Sequence, residues 1–346
     1  MAGALAAYAL RRTLLMIPTF LVISFLGFAI TVLAPGDPVD LYLAGGLAAG
    51  QAGISTQKLA DKAKAEKELR RELGLDRPLV VQYADWLRHF VTGDLGRSYK
   101  DKQPVWEKIR ARLPVTVGIE ILALFVTYLL AVPLGIYSAT RPGSRFDQVS
   151  TVTIFLLYSM PSFWIAVLLL VFFCGGGYFA WFPPGGLRSL ASGPDWSFAK
   201  RTGDLLHHLA LPLFVTTLGS YTEISRYLRS SMLDNARQDF VRTARAKGVP
   251  ERTVILKHML RNSLIPMVTI VAGVLPGLIG GSVLIERIFS IPGLGQLGYD
   301  SVLARDYPVI LALFATSVAL TLIGILLADL LLALVDPRIS YARTSA

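Results

Sequence analysis

Apolar stretches recur along this chain at roughly 13–34, 114–138, 148–174, 208–228, 263–285 and 309–334, with polar or glycine-rich segments between them. At about 1.5 Å per residue, each is long enough to cross about 30 Å of hydrocarbon as a helix. None alternates at period two, which favours helices over a barrel. The pattern predicts an all-α membrane protein with six transmembrane helices. The expected segments are a first helix within 1–34, an extracytoplasmic helical insertion at 35–113, a core of five spans at 114–334 with an inner loop at 229–262, and a tail at 335–346. Arg11 and Arg12 precede the first span as they would in a signal peptide. Its apolar run exceeds the roughly 7–15 residues of such a peptide and no A-x-A site closes it, so a retained helix is expected.

Within the insertion, LAGGLAAGQAG at 43–53 reads as loop, and Ser55 as the cap of a helix ending at Gly74. Pro78 suits the first turn of a second helix, where Leu79, Tyr83, Trp86, Leu87 and Phe90 recur at three- and four-residue spacing before Gly93. That stripe predicts packing on the membrane domain or a place at the lipid interface. A second outer loop, 175–207, carries GGG, WFPPGG and SGPDW, which predict irregular backbone outside the hydrocarbon. The third outer segment, 286–308, is compact and rich in glycine.

Composition agrees with this class: 53% of residues are hydrophobic and 17% charged, against about 25% charged in soluble domains. Charge then sets orientation. With both termini cytoplasmic, the inner segments are the N-terminus, 139–147, 226–262 and the tail. They hold 15 Lys and Arg against five acids, a surplus that accounts for the whole net charge of +10, while the remaining segments balance at 19 and 19. Lys and Arg in short inner loops are the signature of this topology, so the basic balance needs no nucleic acid. The single cysteine, Cys174, excludes an intrachain disulfide and reads as a small buried hydrophobe.

The densest inner charge lies in RTARAKGVPERTVILKHMLRNSLIP, 242–266. Met232, Ala236, Phe240 and Ala244 recur at near-helical spacing up to Lys247. Gly248 stands where a left-handed residue would end that helix, Pro250 opens the next, and Glu251 suits its N-terminal dipole. Lys257 and Arg261 fall near the far end, where cations are favoured, and Val254, Ile255, His258 and Met259 form an apolar edge. An ordered cap and restart predicts a short, stiff, basic helical finger rather than a tether.

This segment resembles the cytoplasmic signature of binding-protein-dependent ABC importer permeases, E-A-A, three residues, G, nine residues, I-x-L-P. Ala244, Gly248 and Leu260 match it; Arg242, Thr243, His258 and Arg261 stand where that pattern has Glu, Ala, Ile and Pro. Those departures are similar to the dipeptide/oligopeptide/nickel branch, which reads RTARAKG and then KHxLRN. LAPGDP at 33–38, ELGLDRPLVVQYADWL at 72–87, GDLGRS at 93–98, MPSFWIA at 160–166, ERIFSIPGLGQL at 286–297, RDYP at 305–308 and DPRI at 336–339 resemble that branch's other motifs, in its order. The large first outer segment resembles the B-type permease subunit.

The resemblance implies a coupling helix between the fourth and fifth spans that docks on a cytoplasmic ATPase. Its docking set would be Arg242, Ala244, Arg245, Lys247, Gly248, Val249, Pro250, His258, Leu260 and Arg261. It further implies a second homologous permease subunit, two ABC ATPase subunits, an extracytoplasmic substrate-binding protein and a peptide cargo. ATP and Mg would reside on the partner subunits, with no cofactor on this chain. Nickel or another small solute is the same-class alternative.

Other candidate chemistry is sparse. Gly293, Gly295 and Gly298 spell G-x-G-x-x-G, but they lie between two spans, where a turn explains them better than a nucleotide fold. No G-x-x-x-x-G-K-[ST] or G-x-S-x-G occurs, and the four histidines do not form a metal motif. Gly273, Pro276, Gly277 and Gly281 on the fifth span predict close helix packing or a mobile interface near the pathway. Glu120, Glu223 and Asp329 lie in or near apolar spans, where an ionisable group costs roughly 2.5–3.5 kcal/mol. Glu223 is three residues from Arg226 and is expected to pair with it. These acids also define the alternative of another class, a proton-coupled secondary transporter.

Overall fold

The structure, a computed structural model, describes residues 2–34, 71, 76–175, 178–264 and 282–335. The 43–53 patch, the helix expected to end at Gly74, most of the fifth span and the tail lie outside the described residues. Among the described residues every regular element is a helix, and β pairing is limited to isolated bridges.

Helix α1 (Ala2–Leu33) is apolar on all sides, as a span should be. Helix α2 (Leu79–Val91) starts after Pro78 and stops at Gly93, whose φ is +82°. Its aromatic stripe packs on α1: the Tyr83 hydroxyl lies 2.8 Å from the Ser24 hydroxyl and donates to the Leu21 carbonyl at 3.1 Å. Phe25 and Phe28 meet the Tyr83 ring, and Phe28 also meets Trp86. The stripe therefore serves packing on the membrane domain.

Helix α3 (Val105–Thr140) is the second span. The expected straight third span is instead α4 (Arg145–Ser159) and α5 (Ser162–Phe173), bent by 97°. Pro161 causes the correction: the residue before proline is driven out of the helical region, and Met160 sits at φ −88°, ψ 136°. Cys174 closes α5 and is buried.

The apolar stretch expected as a fourth span lies within α6 (Phe198–Ala236), whose 39 residues run well past it at both ends; among the described residues α1, α3 and the last helix are the single helices long and apolar enough to cross a membrane. Ser197 caps α6 by accepting from the Lys200 N–H at 3.3 Å, and its buried face continues through Leu228 and Met232. Among the described residues the most extensive helix pair is α3 with α6. Ala131, Gly135 and Ala139 line the contact at four-residue spacing, and a Cβ on Gly135 would sit 3.1 Å from the Leu228 Cβ and the Ser225 carbonyl.

After α6 come α7 (Asp239–Ala246) and α8 (Glu251–Thr253), the latter continuing as a π-helix over Val254–Leu260. Helices α9 (Val283–Ile288) and α10 (Leu294–Leu303) make a compact segment before α11 (Tyr307–Val335), the last long apolar helix among the described residues. Helix α11 packs along α1. Gly27 admits the Phe314 ring, and Arg12 pairs with Asp329 at 3.2 Å.

Candidate functional site: a basic finger clamped to the bundle

The finger is built by backbone chemistry that the sequence announces. Helix α6 ends at Ala236, and Gln238, at φ −74° and ψ 150°, breaks the path before α7. At the far end of α7, Gly248 adopts φ +74°. Its N–H donates to the Arg245 carbonyl at 2.9 Å, and the Val249 N–H donates to the Ala244 carbonyl at 3.2 Å. These two bonds form a Schellman cap, which satisfies carbonyls that a helix end would otherwise leave unpaired. Pro250 then starts α8, and Asn235 of α6 donates to the Ser263 hydroxyl at 2.8 Å, tying the exit of the finger back to its entry. The π-helical turn is a rare geometry often found at functional sites.

One face of the finger is core. Val241, Ala244, Val254 and Met259 are buried against Ala131 and Ala139 of α3 and Ile224, Leu228 and Met232 of α6. The other face is solvent-exposed and cationic: Arg242, Arg245, Lys247, Gly248, Pro250, Lys257 and Arg261 all lie on it. The expected docking set therefore divides. Ala244 packs inward, Val249 and Leu260 pack against the same core, and His258 is half-buried.

Phe240 and Leu256 are exposed on this basic face, at 41% and 45%. The sequence pattern had placed Phe240 with Met232 and Ala244; the break at Gln238 shifts the helical phase and turns it outward. Across the glycine turn, Arg245 donates to both Glu251 oxygens at 3.1 and 2.6 Å. That bond lowers the Glu251 carboxyl and raises Arg245.

A second feature was not foreseen. Asp147, in the first turn of α4, is buried and accepts two hydrogen bonds from Arg229 of α6, both at 2.7 Å. The Gly143 N–H donates to it at 2.9 Å, and Arg226 lies 3.9 Å away while donating to Thr151 at 2.6 Å. Hydrogen bonds from Arg229 hold the Asp147 carboxyl below the usual carboxylate range. This clamp fastens α4 to α6 just above the finger. Its only sequence signal was a lone acid in a short inner loop facing an arginine pair three residues apart.

The other singled-out residues resolve differently. Arg226 is directed to Thr151 and Asp147 rather than to Glu223, which is exposed, so the expected local pair is not formed. Asp329 joins Arg12, and its charge serves the α1–α11 contact. Glu120 has no ion-pair partner among the described residues. Gly273, Pro276, Gly277 and Gly281 lie outside the described residues.

The G-x-G-x-x-G, expected as a turn, is instead the start of α10: Gly293 is its N-cap, and Gly295 and Gly298 lie within the helix. A Cβ on Gly293 would collide with the buried Glu286 carboxylate, and one on Gly295 would sit tightly against that carboxylate and the Val283 backbone, at 3.0 Å. That carboxylate accepts from the Gln296 N–H at 2.7 Å and from Thr116 of α3 at 3.0 Å, capping α10 and holding it on the second span. Motifs far apart in sequence also meet. Ser98 of GDLGRS donates to Asp306 of RDYP at 2.5 Å, and the Tyr99 N–H donates to the same carboxylate at 2.8 Å.

Apolar helices of spanning length, small-residue helix contacts and a basic finger at one end define a polytopic helical membrane subunit. The chain resembles known proteins over nearly its full length. A model described as "Binding-protein-dependent transport system inner membrane component" matches residues 131–341, and an N-terminal companion model of such components matches residues 5–120. The chain belongs to this family of permease subunits. It is 41% identical to the oligopeptide transport system permease protein AppB of Bacillus subtilis, covering 97% of this chain and 100% of that one. It is 36% identical to the inner membrane ABC transporter permease protein YejB of Escherichia coli O157:H7, covering 97% and 99%. A chain from inward-facing structures of the MetNI methionine ABC transporter is similar at a TM-score of 0.49 and 17% identity, over 68% of this chain and 99% of that one.

Proposed function

We propose that this chain is a pathway-forming permease subunit of an ATP-driven importer of di- or oligopeptides. Relatives named for oligopeptide and peptide transport, matched end to end, support the cargo class. The observation that carries the mechanism is the finger: one face fixed in the core of α3 and α6, the other exposed, basic and carrying two apolar side chains. In this reading both termini and the finger are cytoplasmic, as the excess of inner Lys and Arg requires. The finger docks in a groove on one of two ATPase subunits, where ATP and Mg reside. A second, homologous permease subunit completes the pathway, and an extracytoplasmic binding protein delivers the peptide.

Closure of the ATPases moves the finger as a lever. A floppy loop would absorb that motion, whereas the Schellman cap, the Arg245–Glu251 pair and the shared core pass it to α6. The Asp147–Arg229 clamp passes it on to α4. Gly248→Asp forces a side chain onto a left-handed backbone and places an anion on the cationic face. The variant is expected to insert normally while losing co-purification with the ATPase and peptide uptake. Full uptake by Gly248→Asp would sink the docking assignment.

A further inference from the structure

We propose that the pocket between α3, α4 and α6 holds one anionic phospholipid of the inner leaflet, with its phosphate on Arg145 and an acyl chain along the groove. The pocket has a volume of about 620 Å³, within the roughly 300–1,000 Å³ typical of ligand sites. Its walls are apolar, formed by Leu130 and Leu134 of α3, Val149 and Leu157 of α4, and Phe214 and Leu218 of α6. Two of the hydroxyls that reach it are turned to their own helices: Thr217 donates to the Phe214 carbonyl at 3.0 Å and Ser150 to the Asp147 carbonyl at 3.1 Å. Arg145 is the only charged lining residue; it is exposed and has no ion-pair partner among the described residues.

Length and charge select the occupant. From Phe146 to Leu157 the groove follows α4 for about 16 Å at 1.5 Å per residue, close to half of a hydrocarbon layer about 30 Å thick. It stops at the 97° bend between α4 and α5. A transmembrane helix from another subunit would need a groove through both leaflets, whereas one leaflet's lipid needs only this length. The single cation sits at the end where the headgroup would lie. Arg141, exposed with its guanidinium 4.6 Å from the centre of the Tyr137 ring, adds positive charge in the same short loop. The leaflet assignment rests on the orientation proposed above, which puts Arg145 on the cytoplasmic side.

Native mass spectrometry of the assembled transporter, titrated with phosphatidylglycerol or phosphatidylcholine, tests this. One phosphatidylglycerol per copy of this chain should be retained. Arg145→Gln should weaken that retention about tenfold, the loss of one charge-assisted contact. Thr153→Trp, which fills the groove, should abolish it. The intact assembly mass in the same spectra shows that both variants fold. Equal retention of the two lipids, or undiminished phosphatidylglycerol in both variants, overturns the site. So does a disulfide from Val149→Cys to a cysteine in the second permease subunit, which would give the groove to protein. Labelling of Arg145→Cys by an impermeant thiol reagent added outside overturns the orientation and the leaflet, with lipid retention left standing, so the two failures are distinct.

Discussion

Gly248 and Gly293 are required for opposite reasons. Gly248 has φ +74°, yet a Cβ there would meet nothing within 4 Å. Its constraint is conformational, since left-handed backbone costs about 1–2 kcal/mol for most L-residues. Gly293 has a permissible backbone and no room, because the Glu286 carboxylate occupies the space a Cβ would take. Gly293→Ala is therefore expected to destabilise the outer segment by about 1–3 kcal/mol, the usual cost of overpacking. Adding Glu286→Ala should relieve the collision, so a double-mutant cycle in thermal unfolding should show strong coupling; additive losses would argue against the cradle.

Asp147 carries the other residue-scale prediction. Asp147→Asn removes the charge that Arg229 bonds twice, and should cost about 1.5–3 kcal/mol in unfolding of the detergent-solubilised protein. The folded carboxyl lies below its unfolded value, so the clamp's contribution is complete above the ordinary Asp pKa of about 3.9 and is lost as pH falls through the folded value. The stabilities of the wild type and the Asp147→Asn variant should thus differ by a constant amount from about pH 5 to 8 and converge in stronger acid.

At the scale of elements, the finger has two faces with separable duties. Phe240→Ala and Leu256→Ala remove exposed side chains, so stability should move by less than about 0.5 kcal/mol. ATPase association, read by co-purification or by binding to the reconstituted complex, should weaken by about tenfold or more if these side chains anchor the contact. Unchanged association for both would mean that charge alone docks the finger.

Elements were also where sequence reading met its limits. Pro78 and Gly93 bounded α2, and Gly248 and Pro250 punctuated the finger, because those residues act through their own backbone. The bend at Pro161 was missed because the apolar run of 148–174 continues through it without a polar break. The stripe Met232, Ala236, Phe240 and Ala244 failed at Phe240 because spacing assumes an unbroken helix. The packing seam Ala131, Gly135 and Ala139 was not foreseen, because only α6, far along the chain, shows what those small residues pack against.

For the whole molecule, the proposal puts the driving force outside this chain. Reconstituted alone in vesicles under a proton gradient, the chain should show no peptide flux. Uptake should appear only with the second permease, the ATPases and ATP. Flux driven by the gradient alone would restore the proton-coupled alternative. Asp329 argues against that alternative on its own terms, since its charge is engaged by Arg12 at 3.2 Å between α1 and α11. Contacts between distant segments, such as Ser98 with Asp306 and Glu286 with Thr116, tie the stretch before α3 and the segment of α9 and α10 to the long helices.

The linear chain by itself determined the class: apolar runs fix where helices can cross, inner Lys and Arg fix the proposed orientation, and glycine and proline fix where the finger stops and restarts. These are local effects of transfer energy, charge and backbone freedom, readable without knowing any neighbour. Only the tertiary structure decided which side chains share a site. Asp147 found Arg229, 82 residues away, and Glu286 came to lie between Gly293 and Thr116, because burial and hydrogen bonding depend on which helices come together in space.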